Sequence, residues 1–344
     1  MKRNTIIAAT AITVLSYLAY GPLQVSKPEP QPAQQPATAA LQQQLDDLQR
    51  TTAALVAAQE KDEARRPADS ACKTATELGA KPGDDVDDYP LLQAALDKGY
   101  AIELDGSGLY MLSAPLRPTP GQSTVIKGQS AGYRHNAKGC TGLTPANANV
   151  THLIELPGDA AKSNGQVAVI RDLYLLGNDK CDGVRIHGCR VGTIENCVIR
   201  SCARGVVVAP SISCYAAAVQ GCSILNCGIG IDIANASSVC SFAAASSEIM
   251  GGKHAVSMNG WRRGAVFTAV AMEGQSDRKF LMTDSRAIAI SSYVEADSGK
   301  AGVWMKNSRL VSIDSSLGGT QTDLNSIITF VGDNMPAGTI GWGQ

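Results

Sequence analysis

A repeat of roughly 24 residues, a length typical of solenoids, runs from Val167 to about Gly332 and limits the fold more than any single motif does. Segments open at Ile170, Ile194, Val219, Ala243, Phe267, Ile290 and Ile313, with successive steps of 24, 25, 24, 24, 23 and 23. A second series opening at Gly183, Gly205, Gly230, Ala255, Lys279, Gly302 and Ser326 steps by 22, 25, 25, 24, 23 and 24. Two series that share one period define stacked units, each burying its apolar face only against its neighbours. The chain is a solenoid.

Each unit holds short runs that alternate apolar and polar residues, such as Val184 and Ile186 against Arg185 and His187. Alternation with period two is the signature of a strand. No capped helical periodicity of helical length interrupts the repeats. Three short strands at about 3.3 Å per residue account for one coil. The expected fold is therefore all-β, a single-stranded parallel β-helix with coils of roughly 24 residues. Its inward positions are small or β-branched. An aromatic content of 5% and 34 glycines suit a narrow tube better than a broad sandwich.

A formal charge of −1 and the lack of a dense basic cluster exclude a nucleic-acid binder. Lys2 and Arg3 precede an apolar run over residues 5–23, readable as a signal peptide or as a membrane anchor with everything downstream outside. Residues 26–39 form a Pro/Gln linker. Leu41, Leu45, Leu48, Thr52, Leu55 and Gln59 then follow a heptad seam, which fits a short coiled-coil stalk or a lone amphipathic helix. The division this implies is 1–25 anchor or signal, 26–40 linker, 41–66 stalk helix, 67–130 capping helix and opening coils, 131–332 β-helix and 333–344 tail.

Residues 75–130 carry Gly79-Ala80-Lys81, Asp84-Asp85, Asp87-Asp88, Gln93-Ala94-Ala95-Leu96, Gly108-Leu109-Tyr110-Met111-Leu112 and Pro115-Leu116. This run resembles the opening of the pectate-lyase-like superfamily of right-handed parallel β-helices, which includes bacteriophage tailspikes. Asp87 or Asp88 is expected to cap a helix over Tyr89–Asp97, with Leu91, Leu92, Ala95 and Leu96 as its apolar face. That helix closes the open end of the tube. A metal site in the acidic cluster is the alternative, and caps with solvated turns explain the cluster without one. Ten cysteines stand in the chain. The pairs Cys197/Cys222, Cys202/Cys227 and Cys189/Cys214, each 25 apart, read as stacked buried thiols. No metal-ligand spacing accompanies them, so no metal or cofactor is expected. A disulfide between Cys72 and Cys140 is left open.

Two charged columns stand out. Arg263, Arg286 and Arg309 each lie four residues before a lead residue, while Glu248, Glu273 and Glu295 follow one by five or six. Stacked like charges repel unless an opposite charge lies between them. The arginines suit an anionic glycan; the glutamates, with Tyr293 and Trp304 nearby, suit sugar hydroxyls or glycoside hydrolysis. Either column also suits a solvated face or an intersubunit zipper. His187 reads as a surface histidine. The Gly-His-Gly and Asp-Asp signatures of polygalacturonases are missing from the coils, so the resemblance carries over a fold and not a catalytic set. It implies a surface or virion spike, homotrimeric, that attaches to cell-surface polysaccharide or a receptor. An extracytoplasmic polysaccharide lyase, hydrolase or epimerase is the alternative.

Overall fold

The computed structural model describes residues 72–132, 139–157, 167–188, 190–209, 216–234, 241–261, 265–295, 302–331 and 341–342. The apolar segment, the linker, the heptad segment and Arg263 lie outside them. Among the described residues, no helix is long and apolar enough to cross a membrane.

Three parallel sheets wrap one narrow core. The first has eleven strands, from Cys72–Thr74 to Ile327–Val331. The second and third have nine each, the second from Gly108–Leu112 to Ser316–Leu317 and the third from His152–Leu156 to Gly341–Trp342. One coil gives one strand to each sheet, as Val191–Glu195, Val198–Arg200 and Arg204–Val208 do. The expected parallel stacking is present: Ile170 pairs with Ile194, and Ile194 with Val219.

Further along, the register differs from the sequence alignment. Val219 pairs with Ala244, Ala244 with Phe267, Phe267 with Ala289 and Ala289 with Ser312. Ala243, Ile290 and Ile313 therefore stand one residue out of the expected column. A one-residue slip moves a side chain to the opposite face, so Ala289 and Ser312 are buried while Ile290 and Ile313 point outward. Volume is the physical reason. Phe242, Phe267 and Phe280 stack across the tube with ring centroids 5.8 and 5.0 Å apart, and the small Ala287 and Ala289 fill the core on the strand that follows.

The corners explain the Gly, Asn, Asp and Ser between strands. Asp172, Asn196, Gly221, Ser246, Ala269, Ser291 and Asp314 hold one corner in the left-handed region, at φ of 46–61°. Asn196 Nδ2 also donates to Asp172 Oδ1 of the previous coil at 3.3 Å. Ala269 is the one member with neither a polar side chain nor glycine's freedom. Left-handed backbone costs an ordinary residue about 1–2 kcal/mol, and glycine's extra chain entropy returns part of any gain. Ala269→Gly is therefore expected to stabilise the protein by roughly 0.5–1 kcal/mol in urea unfolding; a loss of stability would contradict this corner geometry.

Just inside that corner runs a ladder of thiols and hydroxyls. Cys197, Ser247 and Ser315 each donate to the carbonyl two residues back, at 3.2, 2.8 and 3.0 Å. Ser247 Oγ accepts the Cys222 N–H at 3.1 Å and Ser315 Oγ accepts the Ser292 N–H at 3.1 Å. Cysteine and serine thus fill one structural role. Cys197, Cys202, Cys222 and Cys227 are buried thiols, as the column spacing predicts, and no disulfide joins Cys72 to Cys140.

The helix Tyr89–Asp97 buries Leu92, Ala95 and Leu96, whereas Leu91 stays exposed. Asp87 serves its start, accepting the Tyr89 N–H at 3.1 Å and the Ser113 N–H at 2.9 Å. Asp88, the other expected cap, turns away from the helix. Its buried carboxylate accepts N–H bonds from Lys81 at 3.1 Å and Met111 at 3.0 Å, tying the loop to the strand Gly108–Leu112.

Candidate functional site

A cluster of ionisable side chains lies at the N-terminal end of the third sheet. There the strands His152–Leu156 and Asp182–Ile186 run side by side, with Glu155 opposite Arg185. Alternation turns both outward. Leu116 bridges to Ile154, which brings Arg117 alongside Glu155 from the preceding coil. Arg117 Nε meets Glu155 Oε2 at 2.6 Å. His152 Nε2 lies 2.8 Å from the same oxygen, and His187 Nε2 lies 3.8 Å from Oε1.

Because a carboxylate only accepts, Nε2 of His152 carries the proton and its Nδ1 accepts from Thr151 Oγ1 at 2.8 Å. Burial lowers the pKa of His152 against the pull of Glu155. Burial, helped by Arg185, also lowers that of His187. Burial pushes Glu155 up, but its bond to His152 and the charges of Arg117 and the histidines outweigh that and leave its pKa lowered. At neutral pH the site holds one carboxylate, two neutral imidazoles and two guanidinium groups. The Arg185 Nε is buried with no hydrogen-bond partner among the described residues.

Beside this cluster, Arg204 grips Asp182 with Nε and Nη2 at 2.9 and 2.7 Å and reaches Asp232 at 3.0 Å. Its two carboxylates sit on the coils either side and engage all three of its nitrogens. This clamp is structural and leaves Arg117, Arg185 and His187 as the groups facing solvent.

The residues expected from the charged columns fall on three different faces. Glu273 and Glu295 stand on adjacent coils of the second sheet, one residue beyond the paired Met272 and Val294. Glu248 lies two positions earlier along its strand, in line with Ala271 and Tyr293, and accepts from Ser223 Oγ at 2.6 Å. Glu295 accepts the Gly274 N–H at 2.6 Å. Tyr293 is exposed on that sheet. Arg286 and Arg309 pair on the first sheet. Trp304 belongs to the third, where the Arg278 guanidinium covers its ring at 5.6 Å. They do not form one site.

Sequence reasoning missed Arg117, His152, Glu155 and Arg185. Glu155 and Arg185 are strand neighbours that lie further apart in sequence than one period, because the intervening coil is longer. A detectable signal was the outward Glu155 matched by an outward Arg185 and His187 at the same place in the next strand.

No protein-family model matches the sequence, and no curated protein matches it. Solved structures do resemble it. The enzymatically active domain of bacteriophage CBA120 tailspike protein 2 superposes with a TM-score of 0.51 at 11% identity, over 75% of this chain and 46% of that one. ORF18 of Geobacillus virus E2 gives 0.51 at 15% identity, over 76% and 62%. The A-module of an Azotobacter vinelandii mannuronan C-5 epimerase gives 0.44 at 13%, over 78% and 99%. The chain thus spans about half to three-fifths of the first two proteins. The architecture these structures share with the chain is the right-handed parallel β-helix. At these identities the likeness is one of fold.

Proposed function

We propose that this chain is the shaft of an extracytoplasmic or virion-surface spike that binds cell-surface polysaccharide, and that Arg117, Glu155, Arg185 and His187 make the contact. The observation that carries this reading is the outward grouping of the Arg117 and Arg185 side chains around the single carboxylate of Glu155. Such a surface favours a glycan bearing carboxylates, since an arginine presents paired donors to each. The likeness of fold to a tailspike domain supports the same setting.

A second reading, lyase or epimerase chemistry, is favoured by one feature. His187 is a neutral, partly exposed imidazole beside Arg185, an arrangement suited to removing a proton next to a neutralised carboxylate.

The full-length protein, titrated with neutral and anionic polysaccharides, is expected to prefer the anionic ones. Charged hydrogen bonds contribute about 1.5–3 kcal/mol each, so Arg117→Ala with Arg185→Ala should weaken binding about 100-fold or more. Unchanged affinity in that double variant would discard the site. Appearance of unsaturated or new reducing ends, lost in His187→Ala, selects the enzymatic reading.

A further inference from the structure

Cys181 belongs to a thiol column that sequence spacing hides, because it stands 21 residues before Cys202 whereas Cys227 follows Cys202 by 25. The main chain shows the stacking. The Ala203 N–H donates to the Cys181 carbonyl at 2.8 Å, and one coil on the Gly228 N–H donates to the Cys202 carbonyl at 2.9 Å. Cys181, Cys202 and Cys227 therefore hold the same rung of three successive coils, at the corner between the second and third sheets, and all three are buried. The Cys202 thiol is hydrogen-bonded to the sulfurs of both neighbours.

Cys181 differs from the other two. Cys202 and Cys227 donate to main-chain carbonyls, of Arg200 at 3.5 Å and Leu225 at 3.6 Å. Cys181 donates to no carbonyl among the described residues; its sulfur accepts from the Cys202 thiol and the Asn178 N–H. A sulfur surrounded by donors favours the thiolate, the form that ligates. The turn that carries it, residues 177–181, has five residues against three at 201–203 and 226–228, and its Asp179 and Lys180 are exposed. Gly177 and Gly183, at the two ends of that turn, set no side chain against the Cys202 sulfur, where an added Cβ would lie 2.8 and 3.4 Å away.

Neighbouring rungs lie about 4.8 Å apart. A disulfide needs its sulfurs at about 2.05 Å, so stacked coils would have to close on each other to form one. Two metal–thiolate bonds of about 2.3 Å laid end to end span about 4.6 Å, which the spacing already provides. Three sulfurs in a line do not converge on one point, and no group of three or more His, Cys, Asp or Glu side chains among the described residues is placed to hold an ion. We infer that the gap between Cys181 and Cys202 binds one soft monovalent cation of the Cu(I) type, held in line by the two sulfurs. Sulfur ligands select such an ion over hard cations. As it enters, a bond forms to each sulfur, the Cys181 S–H breaks and its proton leaves to solvent, while Cys202 keeps its own proton on the Arg200 carbonyl. Copper stays Cu(I), and the core gains no net charge that burial would penalise. The Cys197/Cys222 pair shares the spacing, but both thiols are committed to carbonyls, at 3.2 and 3.4 Å, in tight corners with no longer turn to admit an ion. This site does not depend on what the third sheet binds.

The test uses the full chain, reduced and free of oxygen, titrated with Cu(I) held by a coloured chelator. The native protein is expected to withdraw one Cu(I) per chain and release one proton. Copper supplied during refolding from urea covers slow entry through the turn. X-ray absorption of the loaded protein should show two sulfur neighbours and no nitrogen or oxygen. Cys181→Ser and Cys202→Ser should each weaken binding more than about 100-fold, since disturbing even a residue that supports a ligand costs about 10–100-fold. Serine retains a donor for the Arg200 carbonyl, and circular dichroism checks that both variants fold. Cys72→Ser and Cys197→Ser should bind as the wild type does. No copper retained by either route, binding that survives both substitutions in the pair, loss of binding in Cys197→Ser, or a copper site with other than two sulfurs would each overturn the proposal.

Discussion

Replacing Gly252 with alanine is expected to destabilise the protein by about 3–5 kcal/mol, the sum of a left-handed backbone penalty and a forced displacement of packed main chain. Gly252 sits at a corner with φ of +78°, and a Cβ there would lie 1.6 Å from the carbonyl oxygen of Cys227. That oxygen belongs to the neighbouring coil, so it cannot rotate aside as a flexible side chain would. The corner is also bonded onward: Lys253 donates to the Gly228 carbonyl at 2.9 Å, and the Gly252 carbonyl accepts from Ser276 at 2.8 Å. Moving one coil breaks the ladder to the next. Gly274 is the internal control, because it has φ of +70° yet its Cβ would meet only Gly251 N, at 3.7 Å. Gly274→Ala should therefore cost only the backbone part, about 1–2 kcal/mol. In thermal unfolding the difference between the two variants corresponds to several degrees. Equal losses would mean that the coils do not approach as closely at Gly252 as described.

The same corners show why the fold was readable from sequence. Parallel stacking repeats the demand for left-handed backbone once per coil, so Asn196, Gly221, Ser246 and Asp314 recur at nearly constant spacing. Thiols and hydroxyls recur for a similar reason, since each must answer the same carbonyl. Register was harder. Ala243, Ala244 and Ala245 are indistinguishable by type, and Ala287 to Ile290 alternate two apolar residues, so periodicity cannot say which face is inside. The rings of Phe242, Phe267 and Phe280 decide it, through volume that only the assembled tube reveals. The third-sheet cluster was hidden differently. Its members come from an irregular opening coil and from strands separated by more than one period, so no column aligned them. Glu248, Glu273 and Glu295 looked like a column because the sequence period ignores which position of the strand each occupies.

Glu155→Gln should lower stability at neutral pH by about 1.5–2.5 kcal/mol, the worth of a charged hydrogen bond to a buried partner. The Arg117 contact adds little to this figure, because that side chain is 54% exposed and its charge is screened. His152 matters more, being 3% exposed and bonded to the same oxygen. The pH dependence separates the parts. The carboxyl of Glu155 has a depressed pKa, so its contribution is complete above about pH 4.3, its unfolded value, and fades as pH falls through the lower folded value. The histidines act in the other window. Their folded pKa values lie below about 6.5, so the unfolded chain binds more protons there and stability declines as pH drops beneath that value. Glu155 holds both imidazole pKa values up, and without it they fall further and the decline lengthens. Urea unfolding of wild type and variant should therefore show a gap that is steady above about pH 7, widens below about 6.5, and closes only under acid conditions that protonate Glu155 itself. A gap constant from neutral pH to below about 4 would show that the carboxylate fills space in this cluster without holding its charges, and Arg117 and Arg185 would then lose the anion that organises them.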